Sequence, residues 1–299
     1  MENQDKINIL IVGATGNLGS LITKHSLAHP NLITNILVRD PQKNKELASQ
    51  VEKAGGRVIQ GDLTKPETLK GITKGMHTVI MTVSMEPEVL YDGQKAVIDD
   101  CVANGVKRVV PTEYSENFVD FAKEELQCLP PILDKKKIEV YLKTLPLKVL
   151  QINTGLFLEA LYMFLLQNGF TYWGDASHKF QTTSYENCAR FIVAAVARKD
   201  LEGRLAYIAN EITVPEAAEI YNKVRGTNKE AKLAGSLQDL KNLAEMARQK
   251  GDPHAYYHDF FALVLDGRSR FPTMVNNDFP EVKATTAEEF LKEKPEIQG

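Results

Sequence analysis

The chain has 299 residues, 43% of them hydrophobic and 25% charged, with a net charge of −3. This is ordinary globular composition with enough length for a sizeable core, and the absence of a basic surplus excludes a protein built to hold nucleic-acid phosphates directly. Three cysteines, Cys101, Cys128 and Cys188, with no C-x-x-C pair, exclude a disulfide framework and fit a reduced compartment. The opening MENQDK is polar and the apolar run Ile7–Val12 is too short for a signal peptide or a membrane span, so a cytoplasmic chain without a membrane partner is expected.

Apolar, β-branched runs at Ile7–Val12, Ile33–Val38, Arg57–Gln60, Thr78–Val83, Arg108–Pro111 and Val149–Ile152 predict six strands. Helical patterns fill most of the gaps, at Asn17–Ala28, Lys43–Ala54 and Pro87–Asn104. In the last, Leu90, Val97, Ile98, Cys101 and Val102 share one face. Strand–helix alternation with uninterrupted apolar strands predicts an α/β fold, a doubly wound parallel sheet covered on both faces. After about residue 153 the pattern turns mostly helical, near 156–168, 183–199, 213–225, 235–250 and 254–266. Short strands are expected near Phe170–Trp173, Arg204–Ala209 and Ala231–Ala234. The division expected is a first domain over 1–153 and a smaller, mostly helical lobe over 154–299, with a strand or helix free to return to the first. Three T-x-x-E strings, Thr64–Glu67, Thr183–Glu186 and Thr213–Glu216, predict capping boxes.

The stretch VGATGNLG closes the first strand and opens the first helix. Gly13 permits the tight turn, Gly16 lets a pyrophosphate approach the backbone, and Gly19 lets helix and strand pack closely. The helix end offers free N–H groups and a positive dipole to phosphates. This context predicts a dinucleotide-binding Rossmann fold, in the GxxGxxG spacing of short-chain dehydrogenases. The second strand ends at Arg39, 20 residues after Gly19. An acid there suits a ribose 2′-hydroxyl, whereas an arginine suits a 2′-phosphate. Lys43 and Lys45 add positive charge and Asp40 opposes it, so NADP(H) is expected over NAD(H).

GATGNLG with LVRD, GDLTKPETL, GVKRVVPTEY and DKKKIEVYLKTLPLKVLQINTGLF resemble the NmrA-like and isoflavone-reductase-like group of atypical short-chain dehydrogenases. YWGDASHKFQTTSYENCARFIVAAV continues the likeness, which spans roughly residues 7–200; the tail after about 225 is not diagnostic. The resemblance implies an NADP-binding Rossmann domain with a small C-terminal substrate lobe. It implies NADPH-dependent reduction of enone-, quinone- or aromatic-type small molecules. Other members of the group bind NADP(H) as redox sensors or co-regulators without known catalysis, which leaves a protein partner open. In the glycine loop the resemblance adds Thr15, Asn17 and Leu18 to the cofactor contacts, and in GDLTKPETL it adds Asp62 and Leu63.

Strand-end logic places Thr82, Val83 and Ser84 along the cofactor ribose, and Asn153, Thr154, Gly155 and Phe157 beside the nicotinamide and substrate. In PTEY, Thr112 and Tyr114 replace the serine and phenylalanine usual in the group, Ser115 follows in place of glycine, and Glu113 is expected to orient groups near the nicotinamide. The one Tyr-x-x-x-Lys string, Tyr91–Lys95, follows the fourth strand rather than the fifth and reads as a decoy. The resemblance instead aligns Lys135 with the group's catalytic lysine, touching the nicotinamide ribose and serving as proton donor. A lysine in the first turn of a helix faces the positive dipole end, which disfavours the ammonium. The alternative is that Lys135, Lys136 and Lys137 form a solvated charge run. Tyr114, Phe157, Leu161 and Trp173 are expected to favour a flat, apolar substrate. Cys188 falls on a core stripe with Phe191, Ile192, Ala195 and Val196. The pairs His25/His29 and His254/His258 have i, i+4 spacing but no third ligand, so no metal is assigned. A reductase and an NADP(H) sensor both remain open, as do monomer and homodimer.

Overall fold

The computed structural model describes residues 6–252 and 255–298. In chain order the elements are β1 (Ile7–Val12), α1 (Asn17–Leu27), β2 (Leu32–Val38), α2 (Lys45–Lys53), β3 (Val58–Gln60), β4 (Thr78–Met81), α3 (Gln94–Ala103), β5 (Arg108–Val110), α4 (Pro130–Leu142) and β6 (Lys148–Asn153). They continue with β7 (Leu156–Phe157), α5 (Leu158–Gln167), β8 (Thr171–Trp173), β9 (Phe180–Thr183), α6 (Tyr185–Ala197), β10 (Gly203–Ala206), β11 (Asn210–Ile212) and α7 (Val214–Arg225). β12 (Lys232–Gly235), α8 (Leu237–Gln249), α9 (Ala255–Val264) and α10 (Ala287–Glu293) complete the chain.

Two compact units emerge. The first holds the chain as far as Glu113, Pro131–Ile152 and Cys188–Leu205; the second holds Tyr114–Pro130, Asn153–Asn187 and the chain from Ala206 onward. The sheet of the first unit has the order β10-β6-β5-β4-β1-β2-β3, and the pairings from β3 through β6 are all parallel. Along β1, Ile9 and Ile11 point one way and Leu10 and Val12 the other, yet all four are fully buried. Both faces are therefore covered, as uninterrupted apolar strands require. α3 and α4 supply one cover: Val97, Ile98, Cys101, Ile138 and Leu142 pack with Leu10, Val12, Val79, Met81 and Val109. Chain order reverses between β1 and β4, and the glycine loop sits at that switch point.

The second unit carries a three-stranded sheet, β11-β9-β7, and a parallel β8–β12 pair. Its core is aromatic: Phe164 stacks on Phe261 at 3.9 Å, and Phe170 lies 5.4 Å from Tyr221. Leu161 and Trp173, expected to border a substrate, are buried and line a cavity of about 10 Å³ with Phe164, Phe180 and Phe261. Among the described residues no helix is long and apolar enough to cross a membrane.

Several predicted boundaries shift for local reasons. The helix expected from Lys43 begins as a 3-10 turn, Pro41–Asn44, because the Asp40 carboxylate accepts the N–H groups of Gln42 and Lys43. The helix expected from Pro87 opens with a π-helical turn, Glu88–Gly93, before α3. Of the three expected capping boxes, only Thr213–Glu216 closes reciprocally. Thr64 instead gives its N–H and hydroxyl to Asp62, at 3.0 and 2.9 Å. Thr183 ends β9 and donates to the Tyr207 carbonyl, so capping of α6 falls to Ser184, which accepts the Asn187 N–H. Thr286–Glu289 forms a box that the same pattern would have found, and Ser236–Asp239 forms one with serine and aspartate in the two places.

Candidate active site

The glycine loop divides into two kinds of glycine. Gly13 has φ +86°, and a Cβ there would stand 2.3 Å from the Thr82 carbonyl oxygen. A Cβ on Gly19 would stand 2.1 Å from the Gly13 carbonyl oxygen. Both are required for β1, β4 and α1 to meet. Gly16 is different: its φ is −79°, and the nearest atom to a Cβ would be 3.4 Å away. Nothing within the chain demands glycine there. Gly16 is the N-cap of α1, no side chain caps that helix, and its first turn holds no acid. α7, α8 and α10, by contrast, all carry capping boxes. The first-turn N–H groups of α1 are thus left for an outside acceptor, the arrangement that receives a phosphate. Thr15, Gly16 and Asn17 are exposed around this end, while Leu18 and Gly19 are buried.

Beside the loop lies a cavity of about 320 Å³ lined by Thr15, Arg39, Asp40, Lys43 and Asn44. Arg39 and Lys43 are exposed. Asp40, the acid that argued against a 2′-phosphate, is turned onto its own 3-10 turn. The structure brings together Thr15 of the loop and this basic pair. At the end of β3, Asp62 is held below the usual carboxylate range by its hydrogen bonds from the Thr64 backbone and hydroxyl. Leu63 packs on the core, and Gly93 exists to let the chain pass it: a Cβ on Gly93 would lie 2.8 Å from the Leu63 Cβ.

The ends of β4 and β5 are locked by a relay that sequence reasoning missed. Fully buried Gln94 donates to the Leu90 carbonyl at 2.9 Å and accepts the Thr112 N–H at 2.7 Å. Thr112 Oγ1 in turn accepts the Val83 N–H at 3.1 Å. These side-chain partners replace ladder bonds, which explains why β4 and β5 stop before Val83 and Pro111. Thr82 Oγ1 donates to the Val12 carbonyl at 3.1 Å, tying β4 to the start of the loop. Ser84 is exposed, and its hydroxyl holds the Glu86 carboxyl below its usual range.

Lys135 is buried, with 5% of its surface exposed, and its Nζ donates to the Glu113 carbonyl oxygen at 2.6 Å. It is therefore not part of a solvated run. Lys137 is exposed and pairs with Asp134 at 2.7 Å, and Lys136 is half-buried. The expected position in the helix needs correction. α4 starts at Pro130, so Lys135 lies in the second turn, beyond the reach of the helix-end dipole. Pro130-Pro131 is the start signal that would have shown this. The Glu113 side chain faces Arg204 Nη1 at 3.5 Å, and Arg204 Nη2 reaches Glu139 at 3.2 Å. Burial pushes the Glu139 carboxyl up, but the Lys143 hydrogen bond and the charges of Arg204 and Lys143 outweigh it, leaving it below its usual range. Glu113 is thus oriented through Arg204, a residue without a sequence signal, while its backbone orients Lys135.

In the second unit, Asn153 is fully buried and donates to the Ser115 carbonyl at 3.3 Å. Thr154 is also buried. Gly155 has φ +65°, and a Cβ there would lie 2.1 Å from the Gln181 carbonyl, so β7–β9 packing alone requires it. Phe157 packs on Tyr185 at 4.3 Å, and Tyr114 is a buried non-glycine residue with φ +26°. In Tyr91–Lys95, the lysine pairs with Asp99 at 2.8 Å and lies over the Tyr141 ring, so it does not act with Tyr91. Cys188 is fully buried with Phe191, Ile192, Ala195 and Val196. His29 Nδ1 accepts the Asn31 N–H, and His254 lies outside the described residues. Among the described residues no three metal-ligating side chains converge.

The reversed parallel sheet and the bare glycine-loop helix define a Rossmann α/β protein. The NmrA-like family model matches residues 5–291, and the chain belongs to that family. It is 25% identical to eugenol synthase 1 of Petunia hybrida, over 96% of this chain and 98% of that protein. Its fold matches a chain from the crystal structures of pinoresinol-lariciresinol and phenylcoumaran benzylic ether reductases with a TM-score of 0.79, at 17% identity over 97% and 99% of the two chains. It also matches the binary complex of leucoanthocyanidin reductase and NADPH from Vitis vinifera, with a TM-score of 0.72, at 19% identity over 96% and 98%. At these identities the structural likeness is one of fold.

Proposed function

We propose that this chain is an NADP(H)-dependent reductase of a small enone-, quinone- or aromatic-type molecule. The observation that carries this reading is Lys135: a buried amine fixed by the Glu113 carbonyl at the end of β5. The uncapped α1 end suits the pyrophosphate, and Arg39 with Lys43 suits a 2′-phosphate. Relatives named as reductases, one of them held with NADPH, support the same chemistry. When bound, the nicotinamide supplies a hydride to an electron-poor carbon. Lys135 then donates an N–H to the oxygen on which negative charge develops, and delivers a proton to it directly or through water. Glu113 and Arg204 hold that amine in place.

The test is titration with NADPH and NADH, then turnover on a panel of enones, quinones and aromatic ketones, for the native chain and Lys135→Ala. NADPH should bind at least tenfold more tightly than NADH. Lys135→Ala should lose about 10²-fold or more in kcat while keeping NADPH binding. Unchanged turnover removes Lys135 from the mechanism. NADPH binding without turnover of any panel member replaces the reductase with a non-catalytic sensor.

A further inference from the structure

A second, larger cavity of about 630 Å³ opens at the opposite end of the same sheet, where β4, β5 and β6 begin. Ligands of open α/β sheets sit outside the carboxyl ends of the strands, so the nucleotide reading does not account for it. Its basic wall converges from separate segments: Lys107 precedes β5, Lys148 opens β6, and Lys199 follows α6. Its apolar wall is Val102 in the last turn of α3 and Val106 ahead of β5, with Pro146 and Leu147 ahead of β6. Asp200 is its one acid. Three lysines against one aspartate give the lining a net charge of +2, in a chain whose own net charge is −3.

His77 completes the wall. Burial pushes its imidazole below the usual range, and the positive charges of Arg108, Lys199 and Lys107 add to this against Asp200. Its Nδ1 lies 2.9 Å from Thr78 Oγ1, which accepts from Arg108 Nε at 3.2 Å. Arg108 also stiffens the site. Its guanidinium is fully buried and donates to the carbonyls of Val196, Arg198 and Leu201, pinning the loop that bears Lys199 and Asp200. The Asp200–Lys148 pair, at 3.2 Å, is exposed and yields readily to a better anion.

We propose that this cavity binds a small amphipathic anion. A carboxylate or phosphate would sit among the lysines beside His77, with an apolar body against Val102, Val106, Pro146 and Leu147. The volume lies within the range of small-molecule sites. The test is calorimetric titration of 1-naphthyl phosphate, 1-naphthoate and neutral 1-naphthol into NADPH-saturated protein at low salt. The two anions distinguish a phosphate from a carboxylate preference. At least one of them should bind tenfold or more tightly than naphthol. The double variant Lys107→Ala/Lys199→Ala, at two exposed positions, should weaken that anion at least tenfold with the thermal midpoint unchanged. Equal binding of naphthol and both anions, or anion affinity unchanged in the double variant, would overturn the proposal.

Discussion

Replacing Glu159 by glutamine should flatten the pH dependence of stability between pH 4.5 and 7. Glu159 lies on α5, and its two carboxylate oxygens accept the Tyr185 N–H at 3.1 and 3.2 Å, at the first residue of α6. Burial lifts the carboxyl from 4.5 to about 7, against its backbone hydrogen bonds and the charge of Lys294. The folded state therefore holds this proton more tightly than the unfolded chain does. Its contribution to stability is fully present below about pH 4.5 and is lost as pH rises through 7. The rise from 4.5 to about 7 corresponds to about 3 kcal/mol. Glutamine keeps an oxygen for the Tyr185 N–H but cannot ionise. Urea unfolding followed through Trp173, the only tryptophan and a buried residue of the same unit, reads the effect. Between pH 5 and pH 8 the native chain should lose about 2–3 kcal/mol more than Glu159→Gln does. Parallel pH profiles for the two proteins would refute the reasoning.

The glycine loop and the buried guanidinium give two more expectations. Gly19→Ala drives a Cβ to 2.1 Å from the Gly13 carbonyl and should cost about 3 kcal/mol or more in chemical denaturation. Gly16→Ala should leave stability within about 0.5 kcal/mol yet weaken NADPH at least tenfold; equal stability losses for the two alanines would contradict the division of roles. Arg108→Met strips donors from three carbonyls around the end of α6 and from Thr78, and should destabilise by about 3–5 kcal/mol. A loss below about 1 kcal/mol in the same measurement would show that those carbonyls find other partners.

Much of the site was legible because its signals are local. The strand–turn–helix of the glycine loop lies within about twenty residues, and each glycine's role follows from the turn it makes. Arg39 was singled out as a candidate by its place at the end of the second strand, and Cys188 was read as core from the helical spacing of its apolar neighbours. Where local reading failed, a competing local partner had won. Asp62 took the Thr64 hydroxyl before a cap formed, and β9 consumed Thr183, moving the cap of α6 to Ser184. Lys135 was placed one turn too early because the helix start at Pro130 went unread.

By itself the sequence determined the parallel α/β layering, the glycine-rich turn that opens the first helix and the basic end of the second strand. These depend on side-chain alternation, helical periodicity and backbone freedom over a few residues. Only the tertiary structure decided which polar groups are buried and what satisfies them. Thr112 bridges the ends of two strands and is itself held by Gln94, and Arg204 orients Glu113 from 91 residues away. Arg108 stands in a run that reads as an ordinary strand, yet it meets the end of a helix 90 residues further on. A buried donor or charge must find its partners wherever the fold brings them, and no local pattern in the chain records where that is.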